Sequence, residues 1–204
     1  MPRVSLATSY SASLRDVNRL DSYLRSSRTL ESQYQYLIAE VVMLRLFAIC
    51  EQAIAEIAFK LACGATYANG RTPSVLIGCI SLNDAAFKML NHRPSRDRVR
   101  FLKWTSANAV EKSIRYVLDT GDAFYLNVLN HSVLLNEMRV VRNEIAHKTR
   151  STRSEYLTEL ARIYGVPTRL NMGPFLTSNV RHPRSNIIRY LQSVPLILND
   201  LCRG

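Results

Sequence analysis

Cysteine, glycine, proline and acidic residues are all scarce in this 204-residue chain, and each shortage removes a class of protein. The four cysteines (Cys50, Cys63, Cys79, Cys202) form no C-x-x-C pair and have no histidine at finger spacing, so zinc-ribbon and redox motifs are not expected. Seven Gly and seven Pro are too few for a loop-dominated or fibrous chain. The longest apolar tract, residues 41–63, is interrupted by Arg45, Glu51, Glu56 and Lys60 and cannot span a bilayer. No basic-then-apolar signal region opens the chain, so the expectation is a soluble, reduced, cytoplasmic protein with no membrane partner. Gly-rich phosphate loops, H-E-x-x-H, G-x-S-x-G and paired carboxylates are missing too, and neither a metal nor a cofactor is expected. Only 16 Asp and Glu face 27 Lys and Arg, leaving +11. That surplus points to an anionic partner, nucleic acid first and membrane headgroups second.

What is present is an ordinary globular composition, 47% hydrophobic and 21% charged, long enough to bury a core. No segment alternates with period two, and the only Asn-Gly, Asn69-Gly70, lies in a loop-like stretch. The chain therefore reads as all-α, with about six to seven helices. Spacing predicts helices over 11–27, 30–63, 81–91, 107–119 and 123–148, one capped by Thr152 and Glu155 and ending at Gly165, and a last one from Ser185, kinked at Pro195. Residues 168–184 read as a loop. In the long second helix one stripe is Leu30, Tyr34, Leu37, Val41, Leu44 and Ala48; another is Leu46, Cys50, Ile54, Ile57 and Leu61. Two stripes imply packing on two sides. The expected organisation is one helical domain over 1–204, with 1–28 as an N-terminal extension and 168–204 as a C-terminal loop and helix packing on the bundle.

The segment LLNEMRVVRNEIAHKTR carries the most chemistry. With Arg142 at zero on a helical wheel, Arg139 falls at about 60°, Asn143 at about 100° and His147 at about 140°. Leu134, Met138, Val141 and Ile145 fall together at about 260–320°, on the core side. Arg142, Asn143 and His147 are thus expected on one outward ridge. A guanidinium holds phosphate oxygens at any working pH, and an imidazole moves protons near neutrality. An amide one turn away orients either group. The set suits attack of an RNA 2′-hydroxyl on its own phosphodiester, which needs base, acid and charge stabilisation but no metal. A bland alternative is that Arg142, His147, Lys148 and Arg150 simply complement the dipole of a helix C-terminus.

The Arg142-Asn143-Glu144-Ile145-Ala146-His147 run, late in a long helix, resembles the signature of the HEPN superfamily: Arg, a polar residue, then His after four to six positions. Residues 45–62 resemble that family's long N-terminal helix. Residues 178–191, SNVRHPRSNIIRYL, resemble the tail of its RiboL-PSP-like branch. The resemblance covers roughly residues 30–200. It implies a helical bundle with a long helix in its N-terminal half, dimerising to bring two signatures into one cleft. It also implies metal-independent RNA cleavage to a 2′,3′-cyclic phosphate by a toxin–antitoxin or antiviral defence effector, with an antitoxin or neutralising protein as a further partner. Carried over, Arg142 stabilises the phosphate, His147 is base or acid, and Asn143 positions them; Arg139, on the same arc of the wheel, is a candidate supporting residue. Glu56 and Lys60 match an acidic-x3-basic pair of the family, or form an i,i+4 salt bridge on an exposed helix face.

A homodimer would supply the second proton-transfer group. Tyr125, Val128, Leu129 and Leu135 are candidates for its surface, the alternative being a helix buried all round within its own chain. Arg93, Arg96, Arg98, Arg100 and Lys103, followed by Trp104 and interrupted by Phe101, form a strip suited to tracking RNA phosphates, joined by Arg150. Arg181, His182 and Arg184 make a second basic loop, whereas His92 and His131 read as structural. Two other functions stay open: a non-catalytic HEPN-like module that binds RNA or nucleotides within a larger assembly, and a purely structural helical partner.

Overall fold

The computed structural model describes residues 5–180 and 182–204; Arg181 lies outside that set. Among the described residues the regular structure is helical: α1 (Leu6–Ser26), α2 (Ser32–Ala62), α3 (Leu82–Asn91), α4 (Ala107–Ile114), α5 (Ala123–Asn130), α6 (Ser132–His147), α7 (Arg150–Tyr164), α8 (Met172–Thr177) and α9 (Asn186–Arg203). Two short 3₁₀ turns, Ser27–Thr29 and Ser95–Asp97, and a lone antiparallel bridge between Val75 and Leu118 complete it. None of these helices is long and apolar enough to cross a membrane. The chain divides into two compact units.

The first unit holds described residues 5–14, 50–135 and 195–204. Ile54, Ile57 and Leu61 of α2 are buried with Met89, Val110, Ile114, Phe124, Val128, Ile197 and Leu201. Cys50 joins them, and burial, with the Glu51 charge, pushes its thiol up to about 12, so it acts as a small hydrophobe. Gly64 ends α2 with φ +84°, as a C-terminal glycine should. Ser81 caps α3, accepting from Asp84 N at 3.1 Å. Asp122 caps α5 and is itself buried: it accepts from Phe124 N at 2.9 Å, Ser74 N at 2.7 Å and the Tyr67 hydroxyl.

The expected helix over 123–148 is two helices, because Asn130-His131-Ser132 are weak helix formers and His131 turns the chain. The His131 ring nitrogen Nε2 lies 2.9 Å from Asp200, which fixes that turn to α9. Tyr125, Val128 and Leu135 are buried within the chain itself, and Leu129 alone of the four is exposed. The second-surface expectation is thereby corrected for three of them. α9 continues through Pro195.

The second unit holds residues 15–49 and 136–194. Val42, Met43, Leu46 and Phe47 of α2 are buried with Met138, Val141, Tyr156, Leu160, Phe175 and Tyr190. Of the two α2 stripes, Leu46, Cys50, Ile54, Ile57 and Leu61 are all buried. The other is not: Tyr34, Leu37, Val41 and Ala48 are exposed and Leu44 is half-buried, with Leu30 exposed just before the helix begins. The supposed loop 168–184 contains α8, whose Met172, Phe175 and Leu176 are buried. Gly173 sits against Tyr36 where any Cβ would collide with that side chain, so a glycine in this helix allows close packing. One buried carboxylate organises the unit. Glu137, 3% exposed, accepts from the Tyr190 hydroxyl at 2.6 Å, from Arg162 at 3.1 Å and from Arg189.

Candidate functional site

The signature lies on the last two turns of α6, in the second unit. α6 stops because Lys148 takes φ +48°, the left-handed region that reverses the chain after a helix. Thr149 then caps α7 in a reciprocal box with Thr152, at 3.2 and 3.0 Å. The cap expected at Thr152 and Glu155 thus sits three residues earlier, and Arg150 opens α7 rather than ending α6. Thr152 also donates to Glu144 at 2.9 Å, with Arg153 3.7 Å from the same carboxylate. Glu144 is buried and turned toward α7, so the one acid inside the signature does not neutralise its arginine.

Arg142 and Asn143 are half-buried and His147 is exposed. The Arg142 guanidinium stands 5.9 Å from the centroid of the Phe47 ring and donates through Nη1 to Asn143 Oδ1 at 3.0 Å. An aromatic face and an amide therefore hold the cation, leaving other N–H groups for an oxyanion. Among the described residues the His147 side chain makes no hydrogen bond or ion pair. Lys148, Thr149 and Arg150 beside it are exposed as well. Arg139 is engaged elsewhere: it donates to Asn136 at 3.0 Å and to Glu155 at 2.5 Å, which neutralises it. The contributions of Phe47 and Glu155 had no visible signal in the sequence, where Phe47 is one of many apolar residues in α2.

Glu56 and Lys60 belong to the first unit and hold α1. Lys60, only 6% exposed, lies 2.8 Å from Glu56 and donates to Ser9 Oγ at 2.6 Å, Thr8 Oγ1 at 2.8 Å and Ser5 O at 3.1 Å. Ser9 donates on to Glu56 at 2.7 Å. Burial opposes the Glu56 charge, but the hydrogen bonds from Lys60 and Ser9 and the Lys60 charge outweigh it and hold the carboxyl below its usual range. The pair is an i,i+4 salt bridge whose lysine is buried beneath α1 while its glutamate stays partly exposed.

The basic strip, also in the first unit, divides in two. Arg93 is half-buried, donating to Met89 O at 2.5 Å and Ser113 O at 3.0 Å, and burial depresses its guanidinium pKa. It ties α3 to α4 and is structural. Arg96, Arg98, Arg100 and Lys103 are exposed, and Lys103 Nζ lies 5.1 Å above the exposed Phe101 ring. Asp97, the acid of the run, is taken by Arg115 at 3.1 Å and by the Tyr116 hydroxyl. Trp104 packs edge-on against Phe59 at 5.5 Å, anchoring the loop. In the second unit Arg184 lines a cleft of about 380 Å³ with Arg28, Gln35 and Asn179.

The structure therefore brings Arg142 and Asn143 together on one helix, leaves His147 exposed at its end, and assigns Arg93, Arg139 and Lys60 to contacts within the chain. The chain matches no protein-family model, no curated protein and no solved structure.

Proposed function

We propose that this chain is an endoribonuclease of HEPN type, acting as a homodimer whose two signatures share one composite site, in a toxin or antiviral defence role with a neutralising partner protein. The observation that carries the reading is electrostatic. Arg142 and His147 lie on one helix end with no carboxylate paired to either among the described residues, beside exposed Lys148 and Arg150. A cluster of unneutralised cations is a receptor for a phosphate.

One His147 imidazole takes the proton of a ribose 2′-hydroxyl, and the oxygen attacks the adjacent phosphorus. Arg142 stabilises the extra negative charge on the phosphoryl oxygens as the pentacoordinate centre forms. The second copy's imidazolium protonates the departing 5′-oxygen. Products are a 2′,3′-cyclic phosphate and a 5′-hydroxyl, with one proton taken and one returned. DNA, lacking the 2′-hydroxyl, is inert. Exposed Arg96, Arg98, Arg100 and Lys103 supply contacts to the RNA backbone.

The test is incubation of purified protein with total RNA in EDTA. Wild type cuts, and His147→Ala and Arg142→Ala, with unchanged circular dichroism, do not. Full activity in both variants removes the site assignment. A second reading, RNA binding without cleavage, is favoured because no described residue gives the His147 ring an orienting hydrogen bond, and a general base is ordinarily held by one. Salt-dependent binding with intact RNA after long incubation selects it.

A further inference from the structure

The exposed stripe of α2 has a stricter spacing than an ordinary amphipathic face. Tyr34, Leu37, Val41, Leu44 and Ala48 recur at three, four, three and four residues. That alternation is the a/d repeat of a coiled coil, with Tyr34, Val41 and Ala48 at a, and Leu37 and Leu44 at d. Tyr34, Leu37 and Val41 are 52, 59 and 50% exposed and Leu44 is half-buried, while Ala39, Val42, Met43 and Leu46 on the opposite face are buried. The helix is already ordered by its inner face, so two heptads, about 21 Å of helix, suffice where an isolated peptide would need more.

Charge identifies the occupant. In this repeat Glu40 is a g position and Arg45 is the e position five residues on. In a parallel two-stranded coil, g of one helix meets e of the next heptad on its partner. Glu40 of each copy then meets the other's Arg45, twice over by symmetry. An antiparallel pair centred on Val41 would instead set Glu40 against Glu40. Neither residue has an ion-pair partner within the chain among the described residues. We infer that a second copy of this chain docks on α2, forming a parallel, in-register coiled-coil seam over residues 34–48.

The inference rests on α2 alone and not on the ribonuclease reading. The two-fold axis of a parallel pair runs along the seam, and Phe47, under Arg142, is a g residue. The two Arg142 side chains therefore stand on opposite flanks, and a cleft shared by both His147 residues needs a contact other than this seam. Association and cleavage thus report on separate claims.

Sedimentation equilibrium of the full chain tests it. Wild type is expected to show an association step with micromolar dissociation, separate from any contact at the signature. Leu37→Glu and Val41→Glu, both at exposed sites, are expected to lose this association step, halving the assembly mass at a given concentration, with unaltered circular dichroism and melting. Glu40→Arg and Arg45→Glu should each weaken the dimer roughly tenfold, and the double swap should restore it. Oxidation of Leu37→Cys should give a linked dimer that wild type, with its own cysteines, does not. A monomeric wild type up to about 100 μM, well past the micromolar range, overturns the seam, as does an association in both glutamate variants unchanged from that of wild type. No rescue by the double swap, or no Leu37→Cys crosslink, overturns the parallel register.

Discussion

Asn143 accepts a hydrogen bond from the guanidinium of Arg142 at 3.0 Å, although successive helical residues point about 100° apart. The contact exists because the arginine side chain is long enough to reach its neighbour's amide, with the guanidinium 5.9 Å from the centroid of the Phe47 ring. Asn143 is in this sense a holder of Arg142 rather than of His147.

That division of labour ranks three variants. Under the proposed mechanism, His147→Ala and Arg142→Ala each lower single-turnover RNA cleavage by about 10²–10⁴. Asn143→Ala lowers it by only about tenfold, the effect of misplacing a group that remains present. Cleavage of a labelled oligoribonucleotide, with folding checked by circular dichroism, measures all three. An Asn143 loss equal to that of His147 would contradict the ranking.

The basic strip separates by burial. Arg96→Ala, Arg98→Ala and Arg100→Ala should each reduce the slope of log binding constant against log salt by about 0.7, with no change in melting. Arg93→Ala should do the reverse. Its bonds to Met89 O and Ser113 O are internal, so the loss is about 1–3 kcal/mol of stability with the salt slope unchanged. Fluorescence anisotropy across a salt series and urea unfolding distinguish the two classes.

The salt bridge of Lys60 with Glu56 makes acid stability partly a property of Glu56. Its carboxyl is held below the ordinary range, so the fold favours the ionised form. The stabilisation is complete above the unfolded value, about 4.3, and is lost as pH falls through the lower folded value. The stability gap between wild type and Glu56→Gln should therefore be flat above about pH 5 and shrink below about pH 4. Lys60→Met, which removes the donor to Ser9 and Thr8 and the counter-charge of Glu56, should cost about 2–4 kcal/mol at neutral pH in urea unfolding.

Glu137 should be the most sensitive position of the second unit. Truncation to Ala leaves Arg189 and the buried Tyr190 hydroxyl without their acceptor. Burial and the Glu137 charge hold the Tyr190 phenol well above its usual pKa, so ionising it is no escape. Breaking such a pair costs about 3–5 kcal/mol, read as a shift of the urea midpoint. A loss below about 1 kcal/mol would show that water substitutes for the carboxylate.

Local signals in the sequence were enough for the helical class, for the α3 cap at Ser81 and Asp84, and for the stops at Gly64 and Gly165, because spacing and capping act within one or two turns. They also marked Arg142, Asn143 and His147 as neighbours on one helix, since periodicity alone sets that. Where chemistry was locally ambiguous they were not enough. Asn130-His131-Ser132 reads as helix or turn, and α8, six residues with a glycine and a proline, reads as loop until buried Phe175 and Leu176 hold it.

Burial was decided only by the tertiary structure. α2 presents two apolar stripes of equal quality in the sequence; one is core, and the other, from Tyr34 to Ala48, faces outward. Arg93 and Arg96 are the same residue type three positions apart, yet one is engaged by backbone carbonyls and the other is exposed. Hydrophobicity and charge are properties of a residue, readable one by one. Which of them is removed from water depends on what the rest of the chain brings alongside, and that is a long-range relation no local pattern encodes.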